Sequence, residues 1–146
     1  MTPRIRHITA ATAIALLAGS CYTSHRSTAV DTDARSWERA AVLTLRNADT
    51  LSLHDLRLFL RCDERFAEDT FSVRIAVTTP SVLRYEEPFL IAVPRDTGPA
   101  ALMREHVVPY RRRIRFAEAG DYRISITPLR PLRGVEAVGI DLVKSE

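Results

Sequence analysis

Cys21 carries the most definite chemistry in this chain. It closes Ala18-Gly19-Ser20-Cys21 at the end of a short apolar stretch, residues 8–18, which follows the basic Arg4 and Arg6. A basic start, an apolar segment of about 7–15 residues and small residues before a cleavage point mark an export signal. A cysteine directly after them offers a thiol for lipidation as the signal is removed. The stretch falls well short of the ~20 residues a membrane-crossing helix needs. The usual triplet has Leu three residues before the Cys, whereas Ala18 stands there with Leu17 one step back. The expectation is removal of residues 1–20 and a covalent lipid, of the palmitate type, on Cys21. The alternative is an ordinary signal cleaved after Ala18 or Ser20, releasing a periplasmic protein without a lipid.

The remaining reactive side chains form no catalytic signature. Gly-x-Ser-x-Gly, a phosphate-cradling glycine loop and His-Glu-x-x-His are all missing from the sequence. His25 in the tether, His54 in a turn and His106 in the long loop lack the close spacing of a zinc site. Asp63-Glu64 with Glu68-Asp69 has no glycine-centred calcium loop around it and reads as a solvated acidic turn. Cys62 is in step with Leu56, Leu58 and Leu60, so it reads as buried apolar filler. With Cys21 lipidated it has no cysteine left to pair with. No enzyme activity, metal or cofactor other than the lipid is expected.

One charged constellation stands out, Arg111-Arg112-Arg113-Ile114-Arg115 with Arg104 upstream. With Ile114 and Phe116 facing a core, Arg111, Arg113 and Arg115 would form a stripe on the opposite face. Such a stripe could grip lipid phosphate, an acidic glycan or a partner's carboxylates. The competing and favoured reading is an edge or solvent-facing strand protected by charge. Nucleic acid is not expected as a partner. The whole chain has a formal charge of +3, but removing residues 1–20, with two arginines and no acids, leaves only +1.

The elements that must position these residues are strands. Residues 71–78 alternate Phe71, Val73, Ile75 and Val77 with Ser72, Arg74, Ala76 and Thr78, the pattern of a strand with one face to the core. Residues 40–45 and 56–61 alternate similarly, and 88–93, 110–116, 122–127 and 138–143 complete the set. Asn47-Ala48-Asp49, Thr79-Pro80-Ser81, Ala119-Gly120-Asp121 and Arg133-Gly134 punctuate them. About seven short strands with such turns predict a single all-β domain, an immunoglobulin-like antiparallel β-sandwich, over residues 36–146. Residues 99–107 form the best helical candidate. Residues 21–35, rich in Ser, Thr, Asp and Ala, read as the lipidated Cys followed by a flexible tether. Extended, it would span roughly 45–50 Å. Gly120 followed by Tyr122 at a strand start predicts a tyrosine corner, in which the phenol bonds back to the backbone.

Cys21, Trp37, Leu45-Arg46-Asn47 and Leu56-Arg57-Leu58-Phe59-Leu60 precede a more distinctive block. This is Phe116-x-x-x-Gly120-x-Tyr122-x-Ile124-x-Ile126, then Leu129-Arg130-x-Leu132-x-Gly134-Val135-x-x-Val138-Gly139-Ile140. In that order and spacing the chain resembles the gliding-motility lipoprotein GldH family over most of its mature length, most specifically over residues 116–142. It departs in having Leu129 where the family has Met, and in a central glycine loop reduced to Gly98. The resemblance implies a non-catalytic outer-membrane lipoprotein that supports gliding motility and the type IX secretion machinery through contacts with other envelope proteins. Gly120, Tyr122 and Gly134 are expected to be structural. The absence of acidic residues directly after Cys21 favours the periplasmic face. The alternative is a solitary surface or periplasmic β-sandwich that binds glycan or another ligand.

Overall fold

The computed structural model describes residues 25–95 and 101–146. The signal, Cys21 and Gly98 lie outside the described residues. Eight strands follow one another: β1 (Arg26–Asp31), β2 (Ala41–Asn47), β3 (His54–Asp63), β4 (Thr70–Thr78), β5 (Arg84–Ala92), β6 (Met103–Ile114), β7 (Gly120–Pro128) and β8 (Val135–Lys144). They build two four-stranded antiparallel sheets, β1-β8-β3-β6 and β2-β7-β4-β5. The sheets pack as the expected β-sandwich, with eight strands. The pairs β1–β8, β2–β7, β3–β6 and β4–β5 are all neighbours. The chain is therefore one long hairpin with its tip between β4 and β5, rolled so that successive pairs fall in alternate sheets. That connectivity is the jelly roll, which shares the sandwich architecture of immunoglobulin-like domains with a different strand order.

The period-two pattern produces this fold because alternate side chains leave opposite faces of a strand. In β2, Ala41, Leu43 and Leu45 are buried while Val42, Thr44 and Arg46 point outward. In β3, Leu56, Leu58, Leu60 and Cys62 enter the same core, and Phe71, Val73 and Ile75 meet them from β4. Central strand β8 is buried almost throughout, as a strand flanked on both sides must be.

Three expectations are corrected. Residues 26–31, read as tether, form β1, paired with β8 from Arg26↔Leu142 to Asp31↔Ala137. Its sequence RSTAVD offers only one sizeable apolar side chain, Val30, so no periodic signal marks it; backbone hydrogen bonding to β8 holds it. Residues 103–107 of the helical candidate belong to β6, whose Glu105, Val107 and Pro109 are exposed while His106 and Val108 are buried. His54 and His106, placed in a turn and a loop, are both buried strand residues.

The two ends of the sandwich are built differently. The proximal end, where β1 begins, gathers the β2–β3, β4–β5 and β6–β7 connections and the C-terminus of β8. The distal end gathers the β1–β2, β3–β4 and β7–β8 connections. There Trp37 and Leu132, both buried, exchange backbone hydrogen bonds of 2.7 and 3.1 Å. The Trp37 indole N–H donates to the Arg39 carbonyl at 2.8 Å. Gly134 sits beside this plug with φ +78°, and a Cβ there would lie 2.4 Å from the Phe66 nitrogen. Only glycine fits that approach.

Candidate functional site

The proximal end has no comparable plug. Between the sheets lies a cleft of about 680 Å³, floored by Leu56, Ile75, Val77, Ile114, Phe116 and Ile124. Arg84, Tyr85, Glu86, Glu87, Tyr110 and Arg111 form its rim. Its volume and apolar floor with a few polar groups at the mouth are those of a ligand pocket. The cleft exists because β5 and β6 are edge strands of opposite sheets, so side chains alone close the space between them. Pro88 in β5 and Pro109 in β6 each remove a backbone donor, which guards both edges against pairing with another strand.

A side-chain latch crosses this gap. The Tyr110 hydroxyl donates to Glu87 Oε1 at 2.5 Å, and the Arg111 guanidinium pairs with the same carboxylate. Phe89 meets the Tyr110 ring edge-on at 5.0 Å, and the Arg111 guanidinium lies 4.8 Å from that ring's centroid. Burial, followed by the bond to Glu87, pushes the Tyr110 phenol well above its ordinary pKa, so it remains a donor at physiological pH. Two irregularities in β6 aim these groups. The register runs Leu58↔Val108, Arg57↔Pro109, then Leu56↔Arg111 and His54↔Ile114, so β6 carries two residues more than its partner. Bulges of this kind re-aim side chains. Directly opposed residues share a face, so Arg111 joins Leu56 on the inner side.

The proximal loops are tied together through Glu118. The Tyr122 hydroxyl accepts from the Glu118 N–H and donates to the Glu118 carbonyl, both at 3.1 Å. This is the geometry expected of a tyrosine corner. The Asn47 side-chain amide donates to the same carbonyl at 3.1 Å. The Glu118 carboxylate accepts the Ser81 N–H at 2.9 Å and the Ser81 hydroxyl at 2.7 Å, fixing the β4–β5 turn. Gly120, with φ +132°, packs against Pro80, whose ring carbons would stand 3.0 Å from a Cβ. Phe116 and Tyr122 stack edge-on at 4.9 Å beneath them.

The arginine stripe does not form. Arg111 turns toward Glu87 in the cleft mouth. Arg113 has φ 53°; its N–H donates to Asp55 at 2.8 Å and its guanidinium to the Glu146 carbonyl at 3.1 Å. Arg115 is exposed beyond the end of β6. The bulges break the alternation that a stripe requires. Cys62 is buried, and desolvation pushes its thiol up to about 12, which leaves it unreactive. Asp63 and Glu68 of the acidic turn are engaged by Arg65 and Arg130. Among the described residues no group of three or more His, Cys, Asp or Glu is placed to hold a metal. Ser27 donates to Asp141 at 2.6 Å and His25 lies 3.7 Å from the same carboxylate. The serine is thus bonded to the acid, not to a histidine base, and the group pins β1 to β8.

The sequence pointed to Tyr122 and Gly120 but missed the cleft, the Glu87–Tyr110–Arg111 latch and the Glu118 hub. Pro109 inside an otherwise strand-like run was the one available signal of a bulged edge. Fold and site together define a small antiparallel β-sandwich of the general interaction-module class. No family model, curated protein or solved structure matches the chain.

Proposed function

We propose that this chain is a non-catalytic outer-membrane lipoprotein, anchored by lipid on Cys21 at the periplasmic face. On this reading it supports the gliding-motility and type IX secretion machinery as a member of the GldH family, through contacts with other envelope proteins. The envelope assignment rests on the signal ending in Cys21 and on the residue pattern of 116–142. The observation that carries the interaction role is the proximal cleft. Its rim charges pair among themselves, Arg111 with Glu87 and Arg84 with Glu86 at 3.0 Å, leaving no net charge to recruit an ionic ligand. The edge prolines disfavour strand addition. An apolar side chain of a partner protein, inserted between the sheets past Tyr85, fits both constraints.

The test is a photo-crosslinking residue at position 85 in intact cells, followed by purification of the lipidated protein and identification of what accompanies it. Motility or secretion components should be captured from position 85 and not from Glu64 at the distal end. Recovery of the protein alone from well-solubilised membranes would overturn the assignment. The second reading, a solitary glycan-binding module, draws on Tyr85, which is 62% exposed at the rim of the cleft that Tyr110 also lines. It would gain if the chain, recovered alone, bound an envelope oligosaccharide and lost that binding on Tyr85→Ala.

A further inference from the structure

Because β1 begins at Arg26, only residues 22–25 separate it from Cys21. Whatever conformation they take, the five steps from Cys21 to Arg26 reach at most about 18 Å. If Cys21 is the anchor, the proximal end is held close to the bilayer. This inference rests on that part of the functional reading.

The proximal end has the chemistry of a membrane-contacting surface. Arg112, Arg115 and Lys144 are exposed there, and among the described residues none has a carboxylate within ion-pair distance; the Arg113 N–H donates to Asp55 and its guanidinium to the Glu146 carbonyl. Carboxylates share this end, Glu146 among them, and their hydrogen bonds fix them in place without removing their charge. Asp49 accepts the backbone N–H groups of Leu51 and Ser52, Asp55 those of Arg113 and the Ser145 hydroxyl, Glu118 holds Ser81, and Asp121 pairs with Arg46. Between the basic groups two loop tips raise apolar side chains into water, Leu51 at 81% and Val82 at 78% exposure. Val82 has φ 68°, a left-handed conformation that favours glycine and is a genuine outlier for a β-branched residue. The only two non-glycine residues with positive φ among those described, Val82 and Arg113, both lie at this end. Backbone strain of this kind gathers at functional positions. The β4–β5 turn, closed by Val82 N–H to Thr79 and Thr79 N–H to Leu83, sets the left-handed conformation, and a valine rather than a glycine occupies it in water.

We propose that the proximal end docks on the anionic phospholipid headgroups of the bilayer that carries the anchor. Arg112, Arg113, Arg115 and Lys144 approach lipid phosphates, and Leu51 and Val82 enter the interface. Each basic residue near an anionic surface adds to binding, and the contribution fades within a Debye length. The short link keeps these groups in that range. Docking also turns the cleft mouth toward the membrane margin and the distal end toward the periplasm.

The test uses the full lipidated protein, with Leu51→Cys, Val82→Cys or Glu64→Cys carrying a fluorophore, reconstituted in vesicles containing phosphatidylglycerol and brominated lipid. Buried Cys62 does not compete for the label. Mass spectrometry of the same preparation reads the fatty acid on Cys21. Labels at 51 and 82 should be quenched at least threefold more than the label at 64. Arg112→Glu, Arg113→Glu and Arg115→Glu together, or phosphatidylcholine in place of phosphatidylglycerol, should remove most of the difference. Equal quenching at all three positions, with fatty acid present on Cys21, overturns the docking and leaves the anchor standing. A Cys21 without fatty acid overturns the anchor, and the docking with it.

Discussion

The proximal and distal ends share the same eight strands and the same core, yet their loops fill the space between the sheets differently. At the distal end the β1–β2 and β7–β8 connections turn inward, and Trp37 and Leu132 fill the space between the sheets. At the proximal end the connections tie to one another through Glu118 and Tyr122, and the one ring sent inward, Phe116, packs on Tyr122 and floors the cleft without filling the gap between β5 and β6. Strand pairing alone therefore does not close a sandwich; the end closes only where the loop side chain fills the gap between the edge strands. The distal end spends its loops on stability, whereas the proximal end carries strained backbone, exposed apolar tips and an open pocket.

Removing the distal plug should break the comparison most severely. Trp37→Ala opens a cavity at the distal end and should cost about 3–5 kcal/mol, the usual range for truncating a buried large aromatic. Equilibrium denaturation reads this directly. A midpoint close to that of the unmodified protein would mean that the loop is only a lid over an already closed core. A smaller loss is expected at the proximal end from Tyr122→Phe, about 1 kcal/mol for the tyrosine-corner hydrogen bonds. Thermal melting should register it without a change in far-UV spectrum, and an unchanged midpoint would argue that Asn47 and Ser81 hold Glu118 unaided.

The smallest effect has the opposite sign. Val82→Gly relieves a left-handed conformation that costs a β-branched residue about 1–2 kcal/mol, partly offset by the ~0.5–1 kcal/mol entropic cost of glycine. The variant should melt slightly higher than the parent while losing part of the lipid-dependent quenching of a label at position 51. A stabilised variant with undiminished membrane contact would separate the strain from the docking.

The sheets were legible in the sequence where apolar and polar residues alternate. Phe71, Val73, Ile75 and Val77 gave β4, and Leu56, Leu58, Leu60 and Cys62 gave the core face of β3. Tyr122 and Gly120 were legible too, since a tyrosine corner is local, with the phenol reaching a residue four positions upstream. β1 was not, because an edge strand held by backbone pairing needs few apolar side chains. Nor was the latch: the Tyr110 and Arg111 side chains alternate in an ideal strand, and only the bulge between Leu56 and Arg57 brings both to Glu87.

The all-β class of the domain and the core faces of β3 and β4 were fixed locally, because period-two hydrophobicity and turn motifs act over a few residues. The tertiary structure alone decided the strand order, the recruitment of residues 26–31 into a sheet, and the contrast between a plugged and an open end. Those depend on contacts such as Trp37 with Leu132, Ser81 with Glu118 and Tyr110 with Glu87, made between residues distant in the chain. Only the rolled hairpin brings them within reach of one another.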